Sequence, residues 1–192
     1  MRKRLKTSKI RHSATCGTII LPELMAADGT QASINQLAEK WESRVGTDDL
    51  PKIIKRYGGR IEYIENETLL DSECGAIEVY GPGKFTIYLS QFTTPLCDRF
   101  VLAHEIGHYI LHAKCGKTPG RANRKDYCRV EWEANWFASG WLLPEKKFRA
   151  AYAADPDIGS LMLHFKVPAR AVFDRLKYLG LDGKAPHQHD WE

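Results

Sequence analysis

The sequence has few cysteines, and none are spaced as a C-x-x-C pair. The five, an odd number, are Cys16, Cys74, Cys97, Cys115 and Cys128. This spacing argues against a secreted disulfide framework and favours free thiols in a reducing compartment. A chain of 192 residues can bury enough apolar surface to fold without disulfides. We therefore expect a cytoplasmic protein whose cysteines are small, apolar packing residues.

Long hydrophobic runs are also absent. A helix that crosses a bilayer needs about 20 consecutive apolar residues, and no stretch approaches that length. Ile19-Ile20-Leu21 follows a basic start, as in an export signal, but Pro22 and Glu23 interrupt the apolar segment too early. These absences exclude a membrane span and argue against export.

Acidic residues are missing from the first twelve positions, which hold six of the 28 basic side chains. The rest of the chain carries a slight excess of acids. We interpret residues 1–32 as a basic, flexible N-terminal arm, which could contact nucleic acid or acidic protein. A solvated terminus is the simpler explanation. A second basic cluster lies in a predicted loop at 114–126.

The apolar spacing predicts an α+β fold. Helical periodicity predicts helices at 33–45 (with Ser33 as the cap), 50–57, 94–113, 126–143, 145–153, 157–165 and 168–179. Alternating segments at 60–65, 76–80 and 84–89 predict a small antiparallel sheet that precedes the helix at 94–113. We expect a helical core at 33–150, C-terminal helices at 151–183 packed on it, and a polar tail at 184–192.

The helix at 94–113 carries the motif H-E-x-x-H, from His104 through Glu105 to His108. Four residues turn about 400° and rise about 6 Å, so both imidazoles lie on one face and can hold one tetrahedral metal ion. Glu105 lies about 100° further round, where it can take a proton from a metal-bound water. Zinc lowers the pKa of that water towards ~7. The pattern indicates a zinc hydrolase, and Gly107 indicates close packing or substrate approach.

A third histidine at the spacing H-E-x-x-H-x-x-G-x-x-H is absent, because Leu111 and Lys114 stand at its last two defining positions. His112 lies on the same helix, eight residues beyond His104, which is too far along the axis to complete one tetrahedron. We expect His112 to pack or to hydrogen-bond locally. The third ligand should therefore come from another helix.

The helix at 126–143 offers two candidates for that ligand, Glu131 and Glu133. Glu131 shares a face with Asn135 at i+4, so one can ligate the metal while the other orients a ligand imidazole. Glu133 is expected to point away from Glu131 and to be solvated or salt-bridged. Glu131 is our choice, with Glu133 as the alternative.

Two segments carry a resemblance to a known family. The stretch from Arg99 to His112, RFVLAHEIGHYILH, resembles the active-site helix of the ImmA/IrrE-type metallopeptidases. The stretch from Glu131 to Pro144 resembles their second signature, E-x-x-A-N-x-F-A-x-x-L-L-x-P. The resemblance implies zinc ligands at His104, His108 and Glu131 and a catalytic base at Glu105. It also implies a bacterial or phage cytoplasmic protein that cleaves or inactivates a helix-turn-helix repressor, and so switches on phage, mobile-element or stress genes.

We therefore expect a zinc endopeptidase that cleaves a protein, most concretely a helix-turn-helix repressor. One alternative is a non-catalytic, zinc-stabilised adaptor that sequesters a repressor or contacts DNA. Another is a hydrolase of small substrates, and the metal could be manganese or another divalent ion. The last two helices could read DNA through Arg170, Arg175 and Lys177. We favour packing for them, so a nucleic-acid partner is not favoured.

Overall fold

A computed structural model describes residues 29–65, 75–112 and 124–182, and for 124–128 it describes the backbone only. Most of the expected N-terminal arm, the basic loop apart from the backbone of 124–126, and the expected tail at 184–192 lie outside the described residues. In chain order the described elements are α1 (Gln31–Val45), α2 (Leu50–Arg56), β1 (Gly59–Ile64), β2 (Gly75–Gly81), β3 (Lys84–Ser90), α3 (Pro95–Leu111), α4 (Arg124–Leu142), α5 (Glu145–Ala154), α6 (Ile158–Phe165) and α7 (Ala169–Tyr178).

Side-chain caps set where several helices begin. The Thr94 side chain accepts a hydrogen bond from the Cys97 N–H at the start of α3, as expected, and Pro95 occupies the first turn. The predicted cap of α1 is wrong, because Thr30 caps this helix by accepting from the N–H of Ser33. A threonine three residues before Ser33 has the same capping chemistry, so the helix starts two residues earlier than predicted.

The fold is α+β as predicted, but the sheet is mixed rather than antiparallel. Its strand order is β1-β3-β2. β2 and β3 pair antiparallel, whereas β1 pairs parallel with β3 in a register that runs from Gly59 opposite Phe85 to Ile64 opposite Ser90. β2, which comes between β1 and β3 in the sequence, therefore lies on the opposite side of β3 from β1. Parallel pairing requires a crossover, and alternation of apolar residues carries no information about strand direction.

The core lies between α4 and its two neighbours, α1 and α3. Trp141 at the end of α4 is fully buried, and its indole N–H donates to the Gly46 carbonyl beyond α1 at 2.9 Å. Its ring meets the buried rings of Trp41 and Phe137 edge to face. The other side of α3 rests on β2 and β3. Helix α3 is therefore covered on both sides, and every residue from Val101 to His108 is buried.

The last helix contacts α1 through a buried arginine. Arg175 on α7 is 1% exposed; it donates to the side-chain oxygen of Asn35 and pairs with Glu39 at 3.4 Å. A helix that reads DNA must present its basic side chains at the surface. Arg175 is buried, so it cannot make such a contact. Among the helices in the described ranges, none is both long and apolar enough to cross a membrane.

We expect Trp141→Ala to lower the free energy of unfolding by about 3–5 kcal/mol, because it leaves a cavity in the core. Trp132 supplies a matched control on the same helix, since its side chain is 58% exposed. Trp132→Ala should change stability by less than about 0.5 kcal/mol. Urea unfolding of the metal-free proteins measures both values, and similar losses for the two variants would contradict this description of the core.

Candidate metal centre

Helix α3 brings His104 and His108 together on one face. Their Nε2 atoms lie 2.9 Å apart, and the two rings meet edge to face with centroids separated by 4.6 Å. Both side chains are buried. Burial lowers the pKa of His108, although its contact with Glu131 partly opposes that shift. A neutral imidazole is the form that ligates a metal ion, so this environment favours the ligating form.

Helix α4 adds a carboxylate to the two imidazoles. The Glu131 Oε2 atom lies 3.2 Å from Nε2 of His104 and 3.3 Å from Nε2 of His108. The helices approach closely enough for this contact because Gly107 faces α4, where a Cβ atom would lie 3.1 Å from the Ala134 carbonyl oxygen. The interpretation of Gly107 as a close-packing position therefore agrees with the structure.

The three groups fit a metal ion. His104, His108 and Glu131 are buried, and their ligand atoms all lie within 4.8 Å of one another. Zinc bonds of about 2.0–2.1 Å place neighbouring ligand atoms of a tetrahedral site about 3.3 Å apart, close to the distances seen here. In the described ranges no second group of His, Cys, Asp and Glu side chains meets in this way.

Glu105 lies beside this group without belonging to it. Its side chain is buried, and burial raises its pKa to about 7; the His104 charge opposes the rise and the Glu131 charge adds to it. A carboxyl with a pKa near neutrality can both accept and release a proton at physiological pH. The start of β2 lies next to it, since a Cβ atom on Gly75 would be 3.4 Å from the Glu105 Oε1.

The outward-facing nitrogen of each imidazole also has a partner. Nδ1 of His104 lies 2.9 Å from Oδ1 of Asn135, one turn along α4 from Glu131. Nδ1 of His108 lies 3.2 Å from Nδ1 of His112. The structure thus places Asn135 where the i+4 argument expected it, and it gives His112 the local hydrogen bond that was expected for it.

Glu133 makes one contact beyond the salt bridge that was expected for it. Its side chain is only 16% exposed, and both oxygens are engaged: Oε1 by Arg129 at 2.8 Å and Oε2 by Nε2 of His112 at 3.0 Å. The predicted salt bridge is present, but the link to His112 was missed. The i+4 spacing of Arg129 and Glu133 signals the salt bridge. No local spacing signals the contact between Glu133 and His112, because the two residues belong to different helices.

A helical α+β fold around a buried His-His-Glu group, with a further glutamate beside it, is an arrangement suited to metal-assisted hydrolysis. The comparison with protein families agrees. Residues 69–177, more than half of the chain, match a peptidase family described as the IrrE N-terminal-like domain. The chain therefore belongs to this family, and the resemblance drawn from the two signature segments is confirmed.

The other comparisons inform the fold alone. No curated protein matches the chain, whereas nine chains among the solved structures do. One of these is a Mycobacterium tuberculosis transcriptional regulator, with a TM-score of 0.58 and 22% sequence identity. The match covers 82% of this chain and 52% of that one, so this chain spans about half the length of the regulator. At this level of identity, the structural match shows a common fold and nothing about function.

We expect Gly107→Val to lower the free energy of unfolding by about 1–3 kcal/mol, because the added methyl groups press against the backbone of α4. The matched control is Gly159→Val on α6. Gly159 is exposed, and a Cβ there meets no backbone, only the side-chain oxygen by which Asp157 caps α6. The control should shift stability by about 0.5 kcal/mol or less. Equal losses in urea unfolding of the metal-free variants would show that the helix contact is not tight at Gly107.

Proposed function

We propose that this protein is a zinc-dependent endopeptidase that cleaves a protein substrate, and that the substrate is a helix-turn-helix transcriptional repressor. The observation that carries the proposal is the buried meeting of His104, His108 and Glu131 with Glu105 beside them. A structural zinc site has no need of a base and closes its fourth position with a protein ligand. Here three groups converge, and a carboxyl suited to proton transfer stands next to them.

In this proposal Nε2 of His104, Nε2 of His108 and Oε2 of Glu131 hold the metal. Bound zinc supplies Lewis acidity, which polarises a substrate carbonyl and makes water a usable nucleophile near pH 7. The chain keeps both imidazoles in the ligating form by engaging their outward nitrogens, with Asn135 on His104 and His112 on His108. Burial of the group excludes competing water and strengthens its electrostatic contacts.

Glu105 acts as the general base and then as the general acid. It accepts the proton of the attacking water on a carboxylate oxygen and passes it to the nitrogen of the departing amine. Two features support this assignment. Glu105 directly follows His104, about 100° further round α3, so it neighbours the ligands without occupying a ligand position. Its pKa of about 7 suits a group that must gain and lose a proton in each cycle.

A polypeptide substrate is supported by the family and by the sheet. β2 lies at one edge of the strand order, and its first residue, Gly75, adjoins Glu105. An extended chain can add to such an edge through backbone hydrogen bonds, which bind it without regard to most side chains. Trp132, the residue after Glu131, exposes its indole and offers an apolar contact surface to a polypeptide.

The choice of a repressor rests on the resemblance of the two signature segments to ImmA/IrrE-type peptidases. The same resemblance supports a cytoplasmic location. Cys97, the one cysteine whose side chain the structure describes, is a free thiol, as a reducing compartment favours. If the protein instead sequesters its partner as an adaptor, repression will be relieved without any cleavage.

We expect purified protein to bind one zinc ion per chain, and His104→Ala and Glu131→Ala each to lose most of it, because each removes one of three ligands. The control is His164→Ala, which removes an exposed histidine on α6. It should keep full zinc content by elemental analysis. Absence of zinc from the wild type after metal is supplied, or full occupancy in both ligand variants, would reject the site.

We expect Glu105→Gln to keep zinc and lose cleavage by about a hundredfold or more, because the amide cannot take the proton of the attacking water. The measurement is proteolysis of candidate helix-turn-helix repressors in co-expressing cells, followed by mass analysis of the fragments. Glu145→Gln, at an exposed end of α5, is the control for a lost carboxylate. A Glu105→Gln variant that still relieves repression would show that the protein sequesters its partner.

A further inference from the structure

The two candidate ligand histidines are held by different partners, although they belong to one motif. His104 meets a neutral amide, that of Asn135. His108 meets a second imidazole, that of His112, which in turn reaches Glu133 and through it Arg129. The three links measure 3.2, 3.0 and 2.8 Å. This row of four side chains, which we name the His112 chain, runs from the candidate metal group to the protein surface.

The direction of each hydrogen bond in the His112 chain follows from the first. If Nε2 of His108 gives its lone pair to a metal, Nδ1 carries the proton and donates to Nδ1 of His112. That nitrogen of His112 must then be bare, so the proton of His112 lies on Nε2 and is donated to Glu133. The remaining oxygen of Glu133 accepts from Nε of Arg129. One assignment therefore satisfies every link with no donor facing a donor.

We propose that His112 and Glu133 are positioning residues for the zinc ligand His108: they fix its Nδ1–H tautomer and the orientation of its ring. The inference rests on the proposed zinc site. A carboxylate behind an imidazole normally increases the basicity of that imidazole as a metal ligand. In this chain the effect of the Glu133 carboxylate passes through one extra imidazole before it reaches His108.

The inner side chains of the His112 chain are largely shielded from solvent. The side chains of His112 and Glu133 are 12% and 16% exposed, whereas that of Arg129 is 61% exposed. Hydrogen bonds shielded from water are electrostatically stronger, and an unpartnered polar group there is costly. The inner links should therefore influence the metal group, while the exposed Arg129 contributes little. His112 also lies just where α3 ends, as its C-cap residue, so its ring position is not fixed by a continuing helix.

The test measures zinc affinity of the full chain, by competition with a chelating indicator at one fixed pH. His112→Phe keeps a ring but offers no acceptor, and we expect its zinc dissociation constant to rise by about 10- to 100-fold. His112→Asn places an amide oxygen near the position of the lost Nδ1, so it should recover most of the affinity. Glu133→Gln keeps an acceptor without the charge, so its loss should be smaller than that of His112→Phe.

Controls separate positioning from packing. His164→Phe makes the same substitution at an exposed site on α6 and should leave zinc affinity unchanged. The metal-free midpoint of His112→Asn should stay close to that of the wild type, whereas that of His112→Phe should fall modestly, because Glu133 loses a buried partner. The zinc-induced rise of the midpoint, measured from each variant's own metal-free value, should shrink only for His112→Phe. Visible absorption of the cobalt-substituted proteins gives an independent signature, because it changes with ligand geometry. Long-range proton–nitrogen NMR of the zinc-bound wild type should show the His108 proton on Nδ1.

Three results would overturn the proposal. The first is wild-type zinc affinity in His112→Phe. The second is equal weakening in His112→Phe and His112→Asn with a matching loss of metal-free stability, which would make His112 a packing residue. The third is an Nε2–H tautomer of His108. Failure of the wild type itself to bind zinc is a separate result, since it would reject the proposed site and not merely the role of His112.

Discussion

The close approach of α3 to α4 at Gly107 is the constraint on which the candidate site depends. A side chain at this position would meet the backbone of Ala134. Ala134 lies one turn beyond Glu131, and Gly107 lies between the two motif histidines. A spacer of even one or two methyl groups would therefore separate the carboxylate from both imidazoles. The glycine costs about 1 kcal/mol of helix propensity relative to alanine, and it permits the contact that assembles the group.

The same contact determines how the imidazoles are oriented. Once Glu131 faces His104 and His108, the next turn of α4 brings Asn135 to the far nitrogen of His104. The far nitrogen of His108 lies nearer the end of α3, where α4 offers no amide, and His112 fills that place. The two histidines therefore have different partners, because Asn135 of α4 lies beside His104 and no amide of α4 lies beside His108.

Much of this architecture follows from sequence periodicity, and the exceptions share a cause. His104 and His108 share a face of α3, and Glu131 and Asn135 share a face of α4. Each of these pairings is a local property of a single helix, so the sequence predicts it. Strand direction depends on a crossover between distant segments, and alternation of apolar residues does not encode it. The missed contact of Glu133 with His112 has a related reason. Periodicity gives the direction of a Cβ atom, not the reach of a long side chain or the path of the neighbouring helix.

Charge balance explains why a divalent cation suits this group. Glu105 and Glu131 are two buried carboxyls, and the Glu131 charge adds to the rise that burial causes in the pKa of Glu105. Burial of carboxylate charge is costly unless a cation compensates it. The Glu133 carboxylate needs no charge compensation from a metal ion, because Arg129 already pairs with it. The buried acids beside the two imidazoles are therefore features that favour a divalent cation at this group.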